Sequence, residues 1–337
     1  MSGDGVVRGG NRGGPVTRRE FVTLGIGAFA VLVAPGALRF GRRLHRRSIP
    51  IMGTVADVAV VESDGERARR AIEAAFEALR RVEAAMTRFD SRSDVGRANL
   101  EAGTLAVPVS RETAEVLREA LGWAEASGGV FDPCLGGAVE LWDVEHRDRP
   151  PEREEVARFA GGGLYRLLDL GWREDTPVVR SGDPRVAIDL GGIAKGYGVD
   201  RAAEALRAHG VRDGMVNVGG DLAALGVSEN GDAWRVGIRS PERPGEIGGV
   251  IRISDRAVAT SGDYLRYFEH GGRRYHHLID PATGSPSRGG GVRSVTVVAD
   301  TCMTADAAAT MAYCLPHPRS AAILAEHRPD ARILGAS

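Results

Sequence analysis

The stretch Asp189-Leu190-Gly191-Gly192-Ile193-Ala194-Lys195-Gly196 constrains this chain more than any other, because it holds the only lysine. Of 44 basic residues the other 43 are arginine, so a single surviving lysine marks a position where a guanidinium does not serve. Guanidinium is a broad planar fork, whereas an ammonium on a flexible stem suits one oxygen in a tight, glycine-lined space. The run Val186–Leu190 reads as a strand, the paired glycines as a turn, and the residues through Leu206 as a helix ending at Gly210. Amides at the start of that helix would face an anion, with Lys195 adding charge. Asp189 either hydrogen-bonds a ligand or caps the helix. The order of residues is neither GxxxxGK[ST] nor GxGxxG.

A chain of 337 residues with 43% hydrophobic content can bury a full core in one large or two medium domains. Between residues 66 and 87, Ala68, Ile72, Phe76, Leu79, Val82 and Met86 recur at helical spacing with charges opposite. A second helix is expected from Ser110, as N-cap, to Gly128-Gly129. Val55–Val61, Met215–Val218, Trp234–Ile238, Val250–Ile253, Ala257–Thr260 and Val292–Val298 read as strands, and Thr304–Leu315 as a helix. Residues 145–163, charged and rich in Pro and Gly, read as a solvated connection. Strands and helices interleave without a regular βαβ period, which favours α+β over a doubly wound sheet.

The formal net charge of −1 hides a division: residues 1–47 contribute +7, nine arginines against Asp4 and Glu20, so the remainder carries −8. An acidic body argues against nucleic acid as a partner. Thr17-Arg18-Arg19-Glu20-Phe21 and the apolar run Val22–Leu38 read as a twin-arginine export leader. The expected division is therefore a leader over 1–47 and one domain over 48–337, exported and extracytoplasmic. The run is short for a membrane span, and Ala34-Pro35-Gly36 is a poor cleavage site, so an uncleaved N-terminal anchor stays open. Cys134, Cys302 and Cys314 lack CxxC spacing; buried free thiols are expected over a Cys302–Cys314 bridge.

Asp306 and Thr310 lie four apart in a run of small residues, on one side of a helix. A carboxylate and a hydroxyl there suit a hard cation such as Mg²⁺, whose shell phosphates and water can complete. From these two residues alone, a capping Asp with a back-bonded Thr explains as much. Of the pair His276-His277 at most one carries chemistry. A histidine three residues before Asp280, in a turn with Pro281, can position a general base. Phe131-Asp132-Pro133 sets an aromatic beside a carboxylate, useful for a flat heterocycle and equally common as a turn.

Taken together, Met52-Gly53-Thr54, Phe131-Asp132-Pro133, Asp189 through Gly196, Asn217-Val218-Gly219-Gly220-Asp221, Thr260-Ser261-Gly262-Asp263-Tyr264, His277 through Gly284 and Ala305-Asp306 resemble the FAD:protein FMN transferase (ApbE) family. The order holds from about residue 48 to 315. The resemblance implies two intertwined α/β lobes with FAD in the cleft between them and Mg²⁺ bridging its pyrophosphate. FMN would pass to a threonine hydroxyl of a partner protein, and AMP would leave. It also implies FAD contacts at Met52, Phe89, Val130, Phe131, Asp132, Asp189, Lys195 and Leu278. Metal ligation would fall to Asp306, Thr310 and the Gly192 carbonyl, with His277, Asp280 and Lys195 at the transferred phosphate. Cys134 stands where the family usually has threonine, and Phe89 where tyrosine is frequent. Two other readings stand beside transfer: an FAD pyrophosphatase releasing FMN and AMP, which uses the same residues, and a non-catalytic exported flavin-binding protein, which would not need Asp306, Thr310 or His277.

Overall fold

The strands Arg43–Ile51 (β1) and Thr54–Glu62 (β2) form a hairpin in register from Arg43 opposite Glu62 to Ile51 opposite Thr54. They begin a seven-stranded sheet continued by Gly214–Val218 (β3), Asp221–Leu225 (β4), Ala257–Gly262 (β5), Ser294–Ala299 (β6) and Arg332–Ala336 (β7). The strands lie side by side in chain order, and every neighbouring pair is antiparallel. That arrangement is α+β, as the sequence led one to expect. The computed structural model describes residues 29–31, 41–243, 246–264 and 266–336.

β2 is buried from Ala56 onward because it is covered on both faces, and its one central charge, Asp57, is paired with Arg46. Ala56, Val58 and Val60 pack against helices, while Ala59 and Val61 join Trp234, Val236 and Ile253 on the other side. On the helix side lies Gly65–Met86 (α1), whose stripe Ala68, Ala71, Ile72, Ala75, Phe76, Leu79, Val82 and Met86 is buried. Asp64 caps it by accepting from the N–H groups of Glu66 and Arg67, a contribution of about 1 kcal/mol. Arg111–Ser127 (α2) starts at the expected cap Ser110 and stops at Gly128 in the left-handed conformation.

Ala194–Ala208 (α3) and Cys302–Cys314 (α4) meet at Gly196, where a Cβ would collide with the Cys302 carbonyl oxygen. Only glycine permits that approach. The two helices also cap each other. Asp200 of α3 accepts from the N–H groups of Cys302 and Met303 at 2.8 and 2.9 Å, and Asp306 of α4 accepts from Gly196 N–H at 3.0 Å. Each carboxylate thus satisfies orphan amides of the other helix's first turn.

Residues 94–190 make an excursion with its own three-stranded sheet of Val107–Pro108, Thr176–Ser181 and Leu168–Arg173. It remains continuous with α4 through a core that includes Leu117, Trp123, Ile188, Ile193, Ala308 and Met311. All three cysteines are free, Cys134 and Cys302 buried and Cys314 half-buried.

Two expectations need correction. Val186–Leu190 is not a strand. Its backbone bonds to the loop carbonyls of Pro133 and Cys134 and to the Asn99 side chain, which leaves an extended segment with one isolated bridge to Leu135. Residues 43–47, counted above with the expected leader, form the start of β1. Arg42, Arg46 and Arg47 pair with Asp213, Asp57 and Glu73 of the folded body. Residues 145–163 are not merely a solvated connection: they contain the helix Arg153–Ala157, and Val156 and Phe159 pack against the core. Within the apolar run, Phe29–Val31 forms an edge strand against Trp234–Arg239, with Phe29 opposite Ile238. The rest of that run and Arg18-Arg19 lie outside the described residues. Among the described residues no helix is long and apolar enough to cross a membrane.

Candidate functional site

Where α3 leaves the glycine turn, the Lys195 ammonium hydrogen-bonds Asp221 and lies 3.6 Å from Asp306 Oδ2. Burial alone would lower the lysine's pKa, but the two carboxylates outweigh it and raise it. Burial raises the Asp221 carboxyl despite the facing lysine. The Asp306 carboxyl is pushed up to about 7, first by burial and then by repulsion from Asp221, with Lys195 and Gly196 N–H pulling the other way. The anion expected at the helix start is a ligand's; among the described residues Gly196 N–H faces a carboxylate instead. That carboxylate is Asp306 itself.

One turn further along α4, Thr310 contacts the glycine turn. A Cβ on Gly192 would lie 3.3 Å from Thr310 Oγ1 and 3.3 Å from Phe131 Cε2, so turn, hydroxyl and aromatic ring converge. Ser261 Oγ, at the end of β5, is 3.2 Å from Thr310 Oγ1. Carboxylate, hydroxyls and backbone carbonyl make an all-oxygen donor set of the hard kind Mg²⁺ takes. Asp306 and Thr310, one turn apart on α4, and the Gly192 turn against Thr310 thus fit a hard cation in the chemistry of their donors. Among the described residues there is no cluster of three or more His, Cys, Asp or Glu arranged to hold a metal by themselves.

Asp189 braces this turn from below, accepting from Gly191 N–H at 2.7 Å and pairing with Arg88 at 3.0 Å. Next to Arg88, Phe89 stands out from the body with 83% of its surface exposed, and the Arg88 guanidinium lies 4.3 Å from its ring centre. Met52, left-handed at φ 52°, is held by its N–H to Glu83 Oε1 at 2.6 Å. Val130 is half-buried and Phe131 buried, whereas Asp132 accepts from the N–H groups of Cys134 and Tyr165 at 2.9 and 3.2 Å. Burial raises the Asp132 carboxyl, partly offset by those donors.

The paired histidines differ in their surroundings, but neither is solvated. His276 is packed: Nε2 lies 2.8 Å from the Ser287 carbonyl and Nδ1 accepts from Leu278 N–H at 3.2 Å. His277 keeps an enclosed Nδ1 that has no hydrogen-bond partner among the described residues, and burial followed by the charge of Arg266 lowers it to about 3. Its ring is therefore neutral, with a lone pair or proton free at Nδ1. Asp280 uses Oδ1 to accept from Ala282 N–H at 2.9 Å, closing the Asp280–Gly284 turn. Leu278 is half-buried beside the core.

Three groups were not singled out for roles from sequence: Asp221, Ser261 and Arg88. Asp221 and Ser261 lie within quoted motifs, so a carboxylate after the Gly219-Gly220 turn was the available signal. Arg88 is one of 43 arginines and offered none. A separate cavity of about 210 Å³, lined by Tyr197, Arg201, Glu204, Arg256 and Asp300 among others, holds none of the candidate residues. Its charges already pair, Arg201 with Glu204 and Arg256 with Asp300.

A family model described as the ApbE family matches residues 52–334. A Treponema pallidum protein named FAD:protein FMN transferase is 34% identical over 299 residues, spanning 84% of this chain and 82% of that protein. One of the same name from Vibrio cholerae is 32% identical over 300 residues, spanning 87% and 88%. Among solved structures, the ApbE protein from Thermotoga maritima matches with a TM-score of 0.77 at 31% identity, covering 88% of this chain and 96% of that one. The flavin transferase ApbE from Vibrio cholerae matches at 0.74 and 29%, covering 88% and 97%.

Proposed function

Because the chain belongs to the ApbE family and is thereby a flavin transferase, we propose that it moves FMN from FAD to a threonine hydroxyl of an exported partner protein, with Mg²⁺ required and AMP released. The observation that carries this reading is the convergence of Gly192, Thr310 and Phe131 beside the Lys195–Asp221–Asp306 cluster. An oxygen donor set, a cation and an aromatic ring there match a ligand that is both flat and polyanionic.

In this reading Phe131, Val130, Met52, Leu278 and the exposed Phe89 contact the flavin, while Asp132 and Asp189 hold polar groups of FAD. Asp306, Thr310 and the Gly192 carbonyl hold Mg²⁺, which when bound supplies positive charge to the pyrophosphate. Lys195 keeps Asp221 and Asp306 from repelling each other, and its ammonium would be offered to a phosphate oxygen of FAD. The threonine oxygen forms a bond to the FMN phosphorus as the bridging P–O bond to AMP breaks. Its proton goes to a base, and the unpartnered Nδ1 of His277 favours His277 over Asp280, whose Oδ1 is engaged in its own turn. An anionic substrate alongside would raise the basicity of that imidazole.

We place the enzyme outside the cytoplasm, exported through Arg18-Arg19, with an N-terminal anchor if the leader is not cleaved. The test is to incubate the protein with FAD, Mg²⁺ and an exported acceptor carrying a threonine flavinylation segment. An FMN-sized mass gain on the acceptor threonine, with one AMP per transfer, is expected. FMN and AMP appearing with no gain on any acceptor would replace transfer by hydrolysis.

A further inference from the structure

The segment from Arg153 to Tyr165 ties together two parts of the site that are far apart in sequence. At one end, Gly161 N–H and Gly162 N–H donate to the carbonyls of Ala282 and Pro281 at 3.1 and 2.9 Å. At the other, Tyr165 N–H donates to Asp132 Oδ2 at 3.2 Å, and a Cβ on Gly129 would press on the Tyr165 ring at 3.1 Å. The underside of the turn is closed as well: Trp142 Nε1 donates to the Gly284 carbonyl at 2.8 Å, and a Cβ on Gly284 would stand 2.7 Å from the Val156 carbonyl oxygen.

Three consecutive glycines make the span. Gly161, Gly162 and Gly163 have φ of 103°, 69° and 79°, all in the left-handed half of the map that side chains disfavour. Space is not the reason for glycine at Gly162, because the nearest atom to an added Cβ would be the Pro281 carbonyl oxygen at 3.9 Å. Backbone conformation is. With any other backbone path, the two N–H groups would no longer point at the turn.

Resting on the transfer reading above, we propose that Gly161-Gly162-Gly163 is a positioning strap. It fixes the spacing between the flavin-side loop Val130–Asp132 and the turn His277–Gly284, so that flavin donor and proton acceptor meet in one geometry. Gly161 and Gly162 act through Pro281 and Ala282 and touch no reacting atom. Reaction rate depends more steeply on such alignment than FAD binding does, because Val130–Asp132 contact FAD whether or not the His277–Gly284 turn is in place.

Gly162→Ala isolates the conformational effect, since the methyl group fits. Gly162→Asn is the conservative companion, because asparagine tolerates the left-handed region. With the full chain, FAD affinity is read by flavin fluorescence, transfer by acceptor mass, and backbone order by hydrogen exchange. For Gly162→Ala we expect turnover to fall at least tenfold further than FAD affinity does. Exchange should become faster in both 278–284 and 130–135. Gly162→Asn should stay within threefold of wild type in turnover. Wild-type turnover in Gly162→Ala, an equal loss of turnover and FAD affinity, or faster exchange confined to 158–166 would overturn the strap. Were the wild type itself inactive toward acceptors, the transfer reading would fall, and the exchange pattern would still decide the coupling.

Discussion

Replacing Lys195 by alanine would remove the cation from between two carboxylates whose side chains are each only 4% exposed. Removing one partner of a buried ion pair costs about 3–5 kcal/mol, because the charge left behind has neither water nor counter-ion. Lys195 is itself 28% exposed, which places the expected loss near the lower end, at about 3 kcal/mol. The loss has a pH signature. Asp306 already sits at about 7 with the lysine present, so without it a proton is bound more readily still. A carboxyl raised in the folded state takes up protons on folding, and the variant therefore loses stability relative to wild type as pH rises. Between pH 8 and 5.5 the deficit should shrink by about 1 kcal/mol or more, since a tenfold change in proton affinity is worth about 1.4 kcal/mol. Urea unfolding at both pH values measures this. Lys195→Arg keeps the charge but adds bulk where α3 and α4 touch, and overpacking of that kind costs about 1–3 kcal/mol. An alanine variant as stable as wild type, or a deficit independent of pH, would refute the ion-pair reasoning. An arginine variant with wild-type stability and turnover would make the lone lysine an accident of composition.

Asp306→Asn preserves an acceptor for Gly196 N–H while removing the one charged ligand of the proposed cation, so folding and FAD binding should persist while Mg²⁺-dependent turnover drops ~10²–10³-fold; EDTA should mimic it, and full turnover in EDTA would remove the metal from the reaction. His277, lowered to about 3 in the folded protein, stays neutral when the unfolded chain is protonated. Its contribution is present above about pH 6.5 and is lost as pH falls toward 3, at up to ~1.4 kcal/mol for each tenfold rise in proton concentration. Relative to wild type, His277→Gln should therefore gain ~2–3 kcal/mol in stability between pH 7.5 and 4.5, and equal pH dependence in the two proteins would contradict the buried neutral imidazole. Replacing Arg18 and Arg19 together by lysine should retain the folded protein in the cytoplasm, because the pair is read by a receptor and not as charge; unchanged export in cell fractionation would sink the twin-arginine assignment.

Local pattern was enough to locate most of the secondary structure. The stripe from Ala68 to Met86, the Ser110 cap and the stop at Gly128 are short-range features, each decided by atoms within one or two helical turns. Motif order likewise made the family legible, and composition made Lys195 conspicuous. Sequence could not tell that Val186–Leu190 bonds to a loop and a side chain and so is no strand, because an apolar extended run looks the same in both settings. Nor could it assign the partners of Lys195 and Gly196, which are Asp221, 26 residues away, and Asp306, 110 residues away. The docking of Gly161 and Gly162 on the Pro281–Ala282 turn belongs to the same class. Periodicity encodes which face of an element is buried, a property of each segment on its own. Which carboxylate meets which amide or ammonium depends on how α3, α4 and the sheet cross, and that is settled only when their shared core closes and water is driven from between them.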